Sequence, residues 1–366
     1  DVIMRANYAL EHGTEALSQC IREAVNEMLG VLAENAGIDR RDIFQVCIVG
    51  NTCMHHLFLG ISPASLVHAP YTPAVSERLV LNAGDYGLAV QERAELIMLS
   101  DIAGYVGADT CGCLLAIRQD QQEEISLMID IGTNGEMVLG NRERMVTCST
   151  AAGPAFEGAK IECGMRGAAG AVDHVKYEDG KWNYTTVGNK PAVGLCGSGL
   201  IDLVAGLLDA GMLDENGVLR SGQEKQGVFI LVPPERGGNE RGVYLTQKDL
   251  GEVQLAKAAI AAGIQMLMER LGITEDDICS VYIAGAFGNY MDPVSAGKIG
   301  LLPATLVKKV KPVGNAAGEG AKIALVNEKE MLEMDELVRK IEFVELAASA
   351  DFQDHFIDEL GFETGE

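Results

Sequence analysis

Apolar and polar positions recur along this chain with two different spacings, and together they predict alternating helices and strands. In residues 14–35, apolar side chains stand three or four positions apart, which places them on one face of a helix. Gly37 then follows, as a glycine does at the end of many helices. Residues 43–49 are rich in apolar and β-branched side chains, which predicts a buried strand, and Gly50 opens a polar loop after it.

The same spacings predict most of the remaining elements. Residues 60–95, which include three prolines, and the polar, Gly-rich residues 214–240 are expected to be irregular connections. Strands are expected at 96–99, 127–131, 135–139, 145–148, 278–284 and 341–346, with a further hairpin within 160–190. Helices are expected at 102–117, 197–208, 248–271, 314–327 and 350–360. The chain is therefore predicted to be an α/β protein.

One part of this pattern occurs twice. Gly37 and Gly50 enclose a turn and a strand, and Gly272 and Gly285 enclose the same features at a constant offset of 235 residues. The matched positions between them share isoleucine, aspartate and valine, so we predict two homologous halves. The second half has a hairpin upstream of its helix, whereas the first fourteen residues contain nothing similar. We therefore expect the first half to be truncated at its N-terminus.

Composition and charge exclude some classes of function and partner. The chain has 366 residues, 48% of them apolar, and a net charge of −24, so it can bury a large core but suits neither nucleic acid nor an anionic membrane. Its apolar runs are shorter than a membrane span and it has no signal peptide, which predicts a cytoplasmic protein. The nine scattered cysteines fit buried thiols in a reducing compartment.

The turn after residue 131 carries the candidate chemistry. Gly132 and Gly135 allow the backbone to bend tightly and to bring its N–H groups close to an anion. Thr133 and Asn134 add hydrogen-bonding side chains, and Asp130 can position a hydrated divalent cation. Taken alone, these residues are better explained as an ordinary hairpin turn. The other motifs of the chain must decide between the two explanations.

Those motifs favour a phosphate-binding turn. The hairpin, the loop 148–159, the segment 196–202 and the Ala-Gly-Ala-Phe-Gly loop within 283–290 resemble the acetate and sugar kinase/Hsp70/actin superfamily, and most closely the reductive activators of corrinoid proteins. The resemblance implies two duplicated ribonuclease-H-like lobes with an interlobe ATP cleft. The implied parts are a partial first lobe with a connecting helix in 1–118, a second lobe in 119–312, and a second connecting helix with a C-terminal strand and helix in 313–366.

The resemblance also implies roles for single residues. The phosphate-binding residues would be Asp130, Gly132, Thr133, Asn134 and Gly135, with Asp130 also holding Mg²⁺ through water. The other ATP contacts would be Gly153, Gly197, Ser198, Gly285, Ala286 and Phe287. The candidate catalytic residues are Glu157, which would orient a water molecule, and Asp130. A purely structural role for Glu157, in bracing the Gly153-Pro154 turn, explains it equally well.

The implied function is the ATP-dependent activation of a corrinoid protein. Family members use ATP binding and hydrolysis to drive the reduction of Co(II) to Co(I) in the corrinoid protein of a methyltransferase system. ATP and Mg²⁺ are the expected cofactors, the Co(II) corrinoid protein is the expected partner, and a homodimer is expected. A [2Fe–2S] cluster that supplies the electron is expected only in an N-terminal region that this sequence lacks.

Three alternatives stay open. A small-molecule kinase of the same superfamily needs an acceptor site, and the sequence shows no convincing sugar-binding or carboxylate-binding set. The related activator of acyl-CoA dehydratases carries a bridging [4Fe–4S] cluster held by cysteines at its dimer interface. A nucleotide-dependent docking module without hydrolysis is the third, because the expected first phosphate hairpin is missing.

Overall fold

The structure is a computed structural model that describes residues 2–220, 227–347 and 349–362, without the side chain of Ala286. The helices are α1 (Val2–His12), α2 (Glu15–Ala36), α3 (Thr52–Leu59), α4 (Ala64–Val67), α5 (Ala108–Ile117), α6 (Gly197–Asp209), α7 (Gln247–Leu271), α8 (Gly285–Gly288), α9 (Pro293–Lys298), α10 (Ala316–Val326), α11 (Glu328–Val338) and α12 (Ala350–Asp358). The strands are β1 (Gln45–Ile48), β2 (Leu79–Asn82), β3 (Glu95–Met98), β4 (Ile125–Ile131), β5 (Gly135–Gly140), β6 (Met145–Thr150), β7 (Ala171–Glu178), β8 (Lys181–Thr186), β9 (Gly194–Leu195), β10 (Val228–Val232), β11 (Val243–Thr246), β12 (Ile278–Ala284), β13 (Val310–Gly314) and β14 (Glu342–Phe343).

The chain divides into two compact units. Unit 1 comprises Asp1–Glu123, Asn141–Met145 and Asn315–Phe343, and unit 2 comprises Glu124–Gly140, Val146–Gly314 and Val344–Glu366. Among the helices of the described ranges, none has both the length and the apolar character that a membrane crossing requires.

Unit 1 is built on a small sheet and a close pair of helices. The sheet has the order β1-β3-β2, with β1 parallel to β3 and β2 antiparallel to it. Helices α5 and α10 approach through their small residues: a Cβ added to Gly112 would lie 2.6 Å from the Ala317 carbonyl oxygen, and one added to Gly320 would overlap the Gly112 carbonyl oxygen. The small residues of the predicted helices are therefore needed where the two backbones touch.

A buried acidic cluster lies where β3 leads into α5. The carboxylate of Asp101 is 3.3 Å from His55 Nδ1 and accepts a 2.9 Å hydrogen bond from the Ala108 N–H. The side chains of His55 and Asp101 are 6% and 3% exposed, so this pair is almost completely removed from water. Burial, with the nearby charge of Asp101, raises the pKa of Asp109 to about 6.

Unit 2 is organised around β4. The strands of this unit follow the order β13-β12-β4-β5-β6, with β4 parallel to β12 and antiparallel to β5. Leu127, Met128 and Ile129 in β4 are fully buried, as expected for a central strand covered on both faces. Helix α7 packs closely on β5, because a Cβ at Gly263 would collide with Met137. A second sheet, with the order β8-β7-β9, carries α6.

Most of the predicted elements form close to the expected bounds, and two segments were predicted wrongly. Strand β2 lies within residues 60–95 and β10 within residues 214–240, both expected to be irregular; residues 221–226 lie outside the described residues. Both strands have only four or five residues, and pairing with β3 or β11 defines them better than their own short patterns do. The expected strand at 341–346 is reduced to the two residues of β14.

The raised pKa of Asp109 predicts a pH-dependent stability. The folded chain holds a proton on this carboxyl between about pH 4 and pH 6, where the unfolded chain has released it, so the free energy of unfolding falls as pH rises through that window. Asp109→Asn removes this dependence. The free energy of unfolding of the variant minus that of the unmodified protein should therefore rise by up to about 3 kcal/mol between pH 4 and pH 7. Urea-denaturation midpoints across this range measure the effect. Asp85→Asn, an exposed carboxylate of the same unit, should leave the profile unchanged; parallel profiles for all three proteins would contradict the prediction.

Candidate nucleotide-binding site

The tip of the β4–β5 hairpin forms the centre of the candidate site. Asp130 pairs with Glu136 across the two strands, and Ile131 pairs with Gly135. The turn between them is closed by a 3.0 Å hydrogen bond from the Gly132 N–H to the Asn134 carbonyl oxygen. Asp130, Gly132, Thr133 and Asn134 are all half-buried. The turn therefore has the tight geometry expected from its glycine, with polar groups at its surface.

Glu157 is held directly beside this turn. Thr133 Oγ1 donates a 3.0 Å hydrogen bond to Glu157 Oε2, and the Gly153 N–H donates a 2.9 Å hydrogen bond to the Thr133 carbonyl oxygen. Glu157 ends a short 3-10 helix, Pro154–Glu157, which begins after Gly153 at φ 77° and ends before Gly158 at φ 80°. Because Glu157 remains exposed, its carboxylate lies next to the turn and is accessible to water. The structure thus brings together Thr133, Gly153 and Glu157.

The loop after β12 meets the hairpin at the same edge of the sheet. Strands β4 and β12 are parallel, and Asp130 pairs with Ala284, the last residue of β12. Gly285 follows with φ 84°, a conformation that favours glycine, and a Cβ at this position would lie 3.0 Å from Asp130 Oδ1. The backbone of Ala286 lies in α8. Two motifs 155 residues apart in the sequence are therefore neighbours in unit 2.

The N-terminus of α6 closes on the same loop. A Cβ at Gly197 would overlap the Phe156 carbonyl oxygen and lie 2.7 Å from Phe287 Cε2. The rings of Phe156 and Phe287 are stacked with 5.8 Å between their centroids. Ser198 is 2% exposed, and its hydroxyl donates a 2.8 Å hydrogen bond to the Asp173 carbonyl oxygen. What α6 can offer an anion is therefore its first-turn N–H groups rather than the serine hydroxyl.

Some predicted site residues have evident packing roles, and two neighbours were missed. Gly135 is buried, and a Cβ there would lie 2.8 Å from Thr150 Oγ1 and 3.1 Å from Ile260. Glu136, the cross-strand partner of Asp130, was not selected, although its position opposite Asp130 follows from the hairpin register. Phe156 was not selected either, and no sequence signal distinguishes a stacking phenylalanine from an ordinary core residue.

The carboxylates at the hairpin suit a hydrated magnesium ion better than a metal held by protein ligands alone. Within the described ranges, no three His, Cys, Asp or Glu side chains group as a metal centre. Magnesium commonly keeps several waters and uses one or two carboxylates together with phosphate oxygens. Asp130, at the end of β4, fits that pattern.

Comparisons with known proteins show which family the chain resembles. The family profile described as the C-terminal domain of RACo, the ASKHA domain, matches residues 124–366. A second profile, the RACo middle region, matches residues 1–122. The change from one profile to the other coincides with the first boundary between the two units, at Glu123 and Glu124.

Individual relatives show the same resemblance. The corrinoid activation enzyme RamQ of Eubacterium limosum is 36% identical over 375 residues, which cover 98% of this chain and 63% of that protein. The [Co(II) methylated amine-specific corrinoid protein] reductase of Methanosarcina barkeri is 27% identical over 397 residues, covering 100% of this chain and 70% of that protein. The solved structure of a reductive activator for corrinoid, iron-sulfur protein has a TM-score of 0.90 and 37% identity, over 99% of this chain and 60% of that one. This chain therefore spans about three fifths to seven tenths of the length of these proteins.

The contact between Gly285 and Asp130 predicts a local effect that a control can isolate. In Gly285→Ala the new methyl group contacts Asp130 Oδ1. Gly272 also has a positive φ, but in Gly272→Ala the new methyl group has nothing within 4 Å. Both variants should lose about 1–2 kcal/mol of stability from backbone strain. Only Gly285→Ala should also weaken the binding of Mg·ATP, by at least about tenfold, in isothermal titration calorimetry. Equal nucleotide affinity in the two variants would separate the Gly285 loop from the site.

Proposed function

This chain belongs to the RACo family and has the ASKHA fold, and from that membership we propose that it is the ATP-binding and ATPase part of an activator that drives reduction of Co(II) to Co(I) in a corrinoid protein. The corrinoid protein would serve a methyltransferase system. Support comes from relatives that are named for corrinoid activation and for reduction of a Co(II) corrinoid protein. A cytoplasmic location and a homodimer belong to the same proposal.

One observation carries the nucleotide-binding part of the proposal: the hairpin tip and the Gly285 loop meet at the carboxyl ends of two parallel strands. Ligands of α/β sheets commonly bind at such an edge. Phosphate oxygens would bind the N–H groups of the turn other than that of Gly132, which closes on the Asn134 carbonyl oxygen, and Asn134 would add a side-chain donor. The Thr133 hydroxyl would keep its hydrogen bond to Glu157. The adenosine would lie against the loop of Gly285, Ala286 and Phe287 and the N-terminus of α6 at Gly197 and Ser198.

In the proposed site Asp130 would hold Mg²⁺ through water, and the ion would neutralise charge on the phosphates when bound. Asp130 is suited to this because it is the penultimate residue of β4, beside the turn, and is half-buried. Its position beside Gly285 fixes where the carboxylate lies relative to the adenosine loop. Nothing larger than glycine at position 285 would keep that spacing.

Glu157 would orient the water that attacks the terminal phosphate. Its hydrogen bond from Thr133 Oγ1 fixes Oε2 beside the turn, and its exposure leaves room for a water molecule at the other oxygen. A carboxylate in this position can accept a proton from that water. The alternative is a structural role in bracing the Gly153 turn, and the two roles make different predictions.

The partner of the proposed site is the Co(II) form of the corrinoid protein. An ATP-driven change in that partner requires that the nucleotide-bound and nucleotide-free forms bind it with different affinity. One electron must reach cobalt in each activation, and the donor would be a [2Fe–2S] cluster outside this chain. This chain's part would be to make docking depend on the nucleotide.

We also propose that the two units are homologous halves. Strand β12 pairs with β4 on one side and β13 on the other, whereas β1, its counterpart by the 235-residue offset, is an edge strand. Helix α2 leaves Met28 and Leu32 55% and 61% exposed, but Leu267, the α7 counterpart of Leu32, is fully buried. The two halves would therefore share the helix, turn and strand of the repeat and differ in what packs on them.

The full-length protein that contains this chain should hydrolyse ATP faster when a Co(II) corrinoid protein is present. Phosphate release measures hydrolysis, and the visible spectrum of Co(I) measures activation. Asp130→Asn should lose both, because the Mg²⁺ that neutralises the phosphates loses its protein carboxylate. Asp276→Asn, at an exposed carboxylate of unit 2, should lose neither. Phosphate transfer that appears only with a small hydroxyl compound would identify a kinase instead. Nucleotide binding without any hydrolysis would identify a docking module.

Glu157→Gln separates the two roles of this residue. If Glu157 orients the water, kcat should fall by about 10²-fold while the affinity for Mg·ATP and the melting temperature stay close to those of the unmodified protein. A structural role predicts the reverse, with a lower melting temperature and unchanged kcat per folded molecule. Thr133→Val is the matched variant, because it removes the hydrogen bond to Glu157 but keeps the carboxylate. It should lower kcat less than Glu157→Gln does.

A further inference from the structure

A polar cavity of about 450 Å³ lies in unit 2, bounded by β7, α6 and α9. Its volume is within the range of small-molecule sites. The residues that give it chemical character are His174 on β7, Asp202 and Asp209 on α6, and Asp292, Ser295 and Lys298 at α9. None of these residues was assigned to the nucleotide, so the cavity is a separate feature of the unit.

Asp202 is the unusual group of this cavity. It is 4% exposed, and its Oδ2 accepts hydrogen bonds from His174 Nδ1 at 3.1 Å and from the Val175 N–H at 3.3 Å. Its Oδ1 is buried and has no hydrogen-bond partner among the described residues. The hydroxyl of Ser295 donates to Asp292 Oδ2 at 3.3 Å. A buried carboxylate oxygen without a donor is costly, and such groups commonly mark a binding site.

The charges around the cavity favour a cation as the missing donor. Lys298 pairs with Asp209 at 2.5 Å, and Lys176 pairs with Glu178 at 3.9 Å, so both lysines of the lining already have an acidic partner. Asp202 and Asp292 then have only His174 as a further basic group among the lining residues. Burial raises the pKa of Asp202. An anionic ligand would be repelled by these carboxylates.

We propose that this cavity binds an organic cation that carries a primary ammonium group, with Asp202 Oδ1 as the acceptor of its N–H. A charge-assisted hydrogen bond from the cation gives Asp202 Oδ1 a donor and also compensates the buried negative charge of this carboxylate. A bare metal ion fits less well, because the described residues contain no group of three metal-ligating side chains. The cavity is also larger than a single ion needs. This inference does not depend on the proposed ATPase function.

Three small probes test the donor requirement. By saturation-transfer NMR with the chain at pH 7.5 and low salt, n-butylammonium should bind. Its N,N,N-trimethyl derivative keeps the charge but has no N–H, and 1-butanol has no charge; both should bind at least about tenfold more weakly. Equal binding of the trimethyl derivative would overturn the assignment of an N–H donor. The absence of n-butylammonium binding at tens of millimolar would overturn the proposal altogether.

Variants locate the binding in the cavity. Asp202→Asn keeps the shape but removes the charge, and it should weaken n-butylammonium binding at least about tenfold. Asp354→Asn, an exposed carboxylate that does not line the cavity, should bind as the unmodified chain does. If Asp202→Asn fails to fold, Val294→Trp provides the test, because Val294 lines the cavity and is 54% exposed, so a bulky ring there should block entry without disturbing the core. Unchanged affinity in whichever variant folds would overturn the proposal.

The cation has two possible sources, a free amine or a lysine side chain of a docking protein. The peptide acetyl-Gly-Lys-Gly-amide and its norleucine counterpart distinguish them. If the lysine peptide binds more tightly than n-butylammonium and the norleucine peptide does not bind, the proposal is supported and the source of the cation is a protein side chain. Binding of n-butylammonium alone supports it with a free amine as the source. Equal binding of both peptides would contradict it, because the lysine ammonium would then play no part.

Discussion

The parallel pairing of β4 with β12 is the constraint on which the candidate site depends. The register places Asp130 opposite Ala284, so the strand that carries the carboxylate and the strand that carries the Gly285 loop end side by side. A slip of one residue would turn Asp130 to the opposite face, and a slip of two would move it by roughly 7 Å along the strand. The buried residues Leu127, Ile129 and Ile283 oppose either slip, because each would lose its packing neighbours and leave clashes or cavities in a close-packed core.

Close backbone approach is the second requirement, and it explains why glycine recurs in the site. At Gly285 a side chain would meet Asp130, and at Gly197 it would overlap the Phe156 carbonyl oxygen. The hydrogen bonds from the Gly153 N–H to Thr133 and from Thr133 to Glu157 then tie the turn to the following loop. A phosphate bound at the turn would therefore influence Glu157 through the Thr133 side chain. It would influence the Gly153 loop through the hydrogen bond from the Gly153 N–H to the Thr133 carbonyl oxygen.

The sequence predicted the local elements of the site well and their tertiary neighbours less well. The hairpin, the long helix α7 and the start of α6 follow from spacing, glycine positions and turn residues, which are local properties. Strands β2 and β10 could not be predicted in this way, because their partners rather than their own few residues define them. The stacking of Phe156 on Phe287 is also a product of tertiary packing, as is the Asp202 oxygen that has no hydrogen-bond partner among the described residues. Asp202 lies within the 196–202 motif, but no local pattern shows that one of its oxygens lacks a donor.

The proposed use of Mg²⁺ has a physical consequence for how the site distinguishes nucleotides. The described residues offer no group of three metal-ligating side chains, so Asp130 can hold a hydrated ion firmly only together with phosphate oxygens. Affinity for the ion and affinity for the nucleotide are then coupled, and the loss of the terminal phosphate weakens both. Thr133 and Glu157 are connected to the same turn, so the change in charge there would alter the groups proposed to position water. The binding free energies of ATP and ADP would therefore differ because of contacts at the hairpin itself. Any change in partner affinity that depends on ATP must come from such a difference.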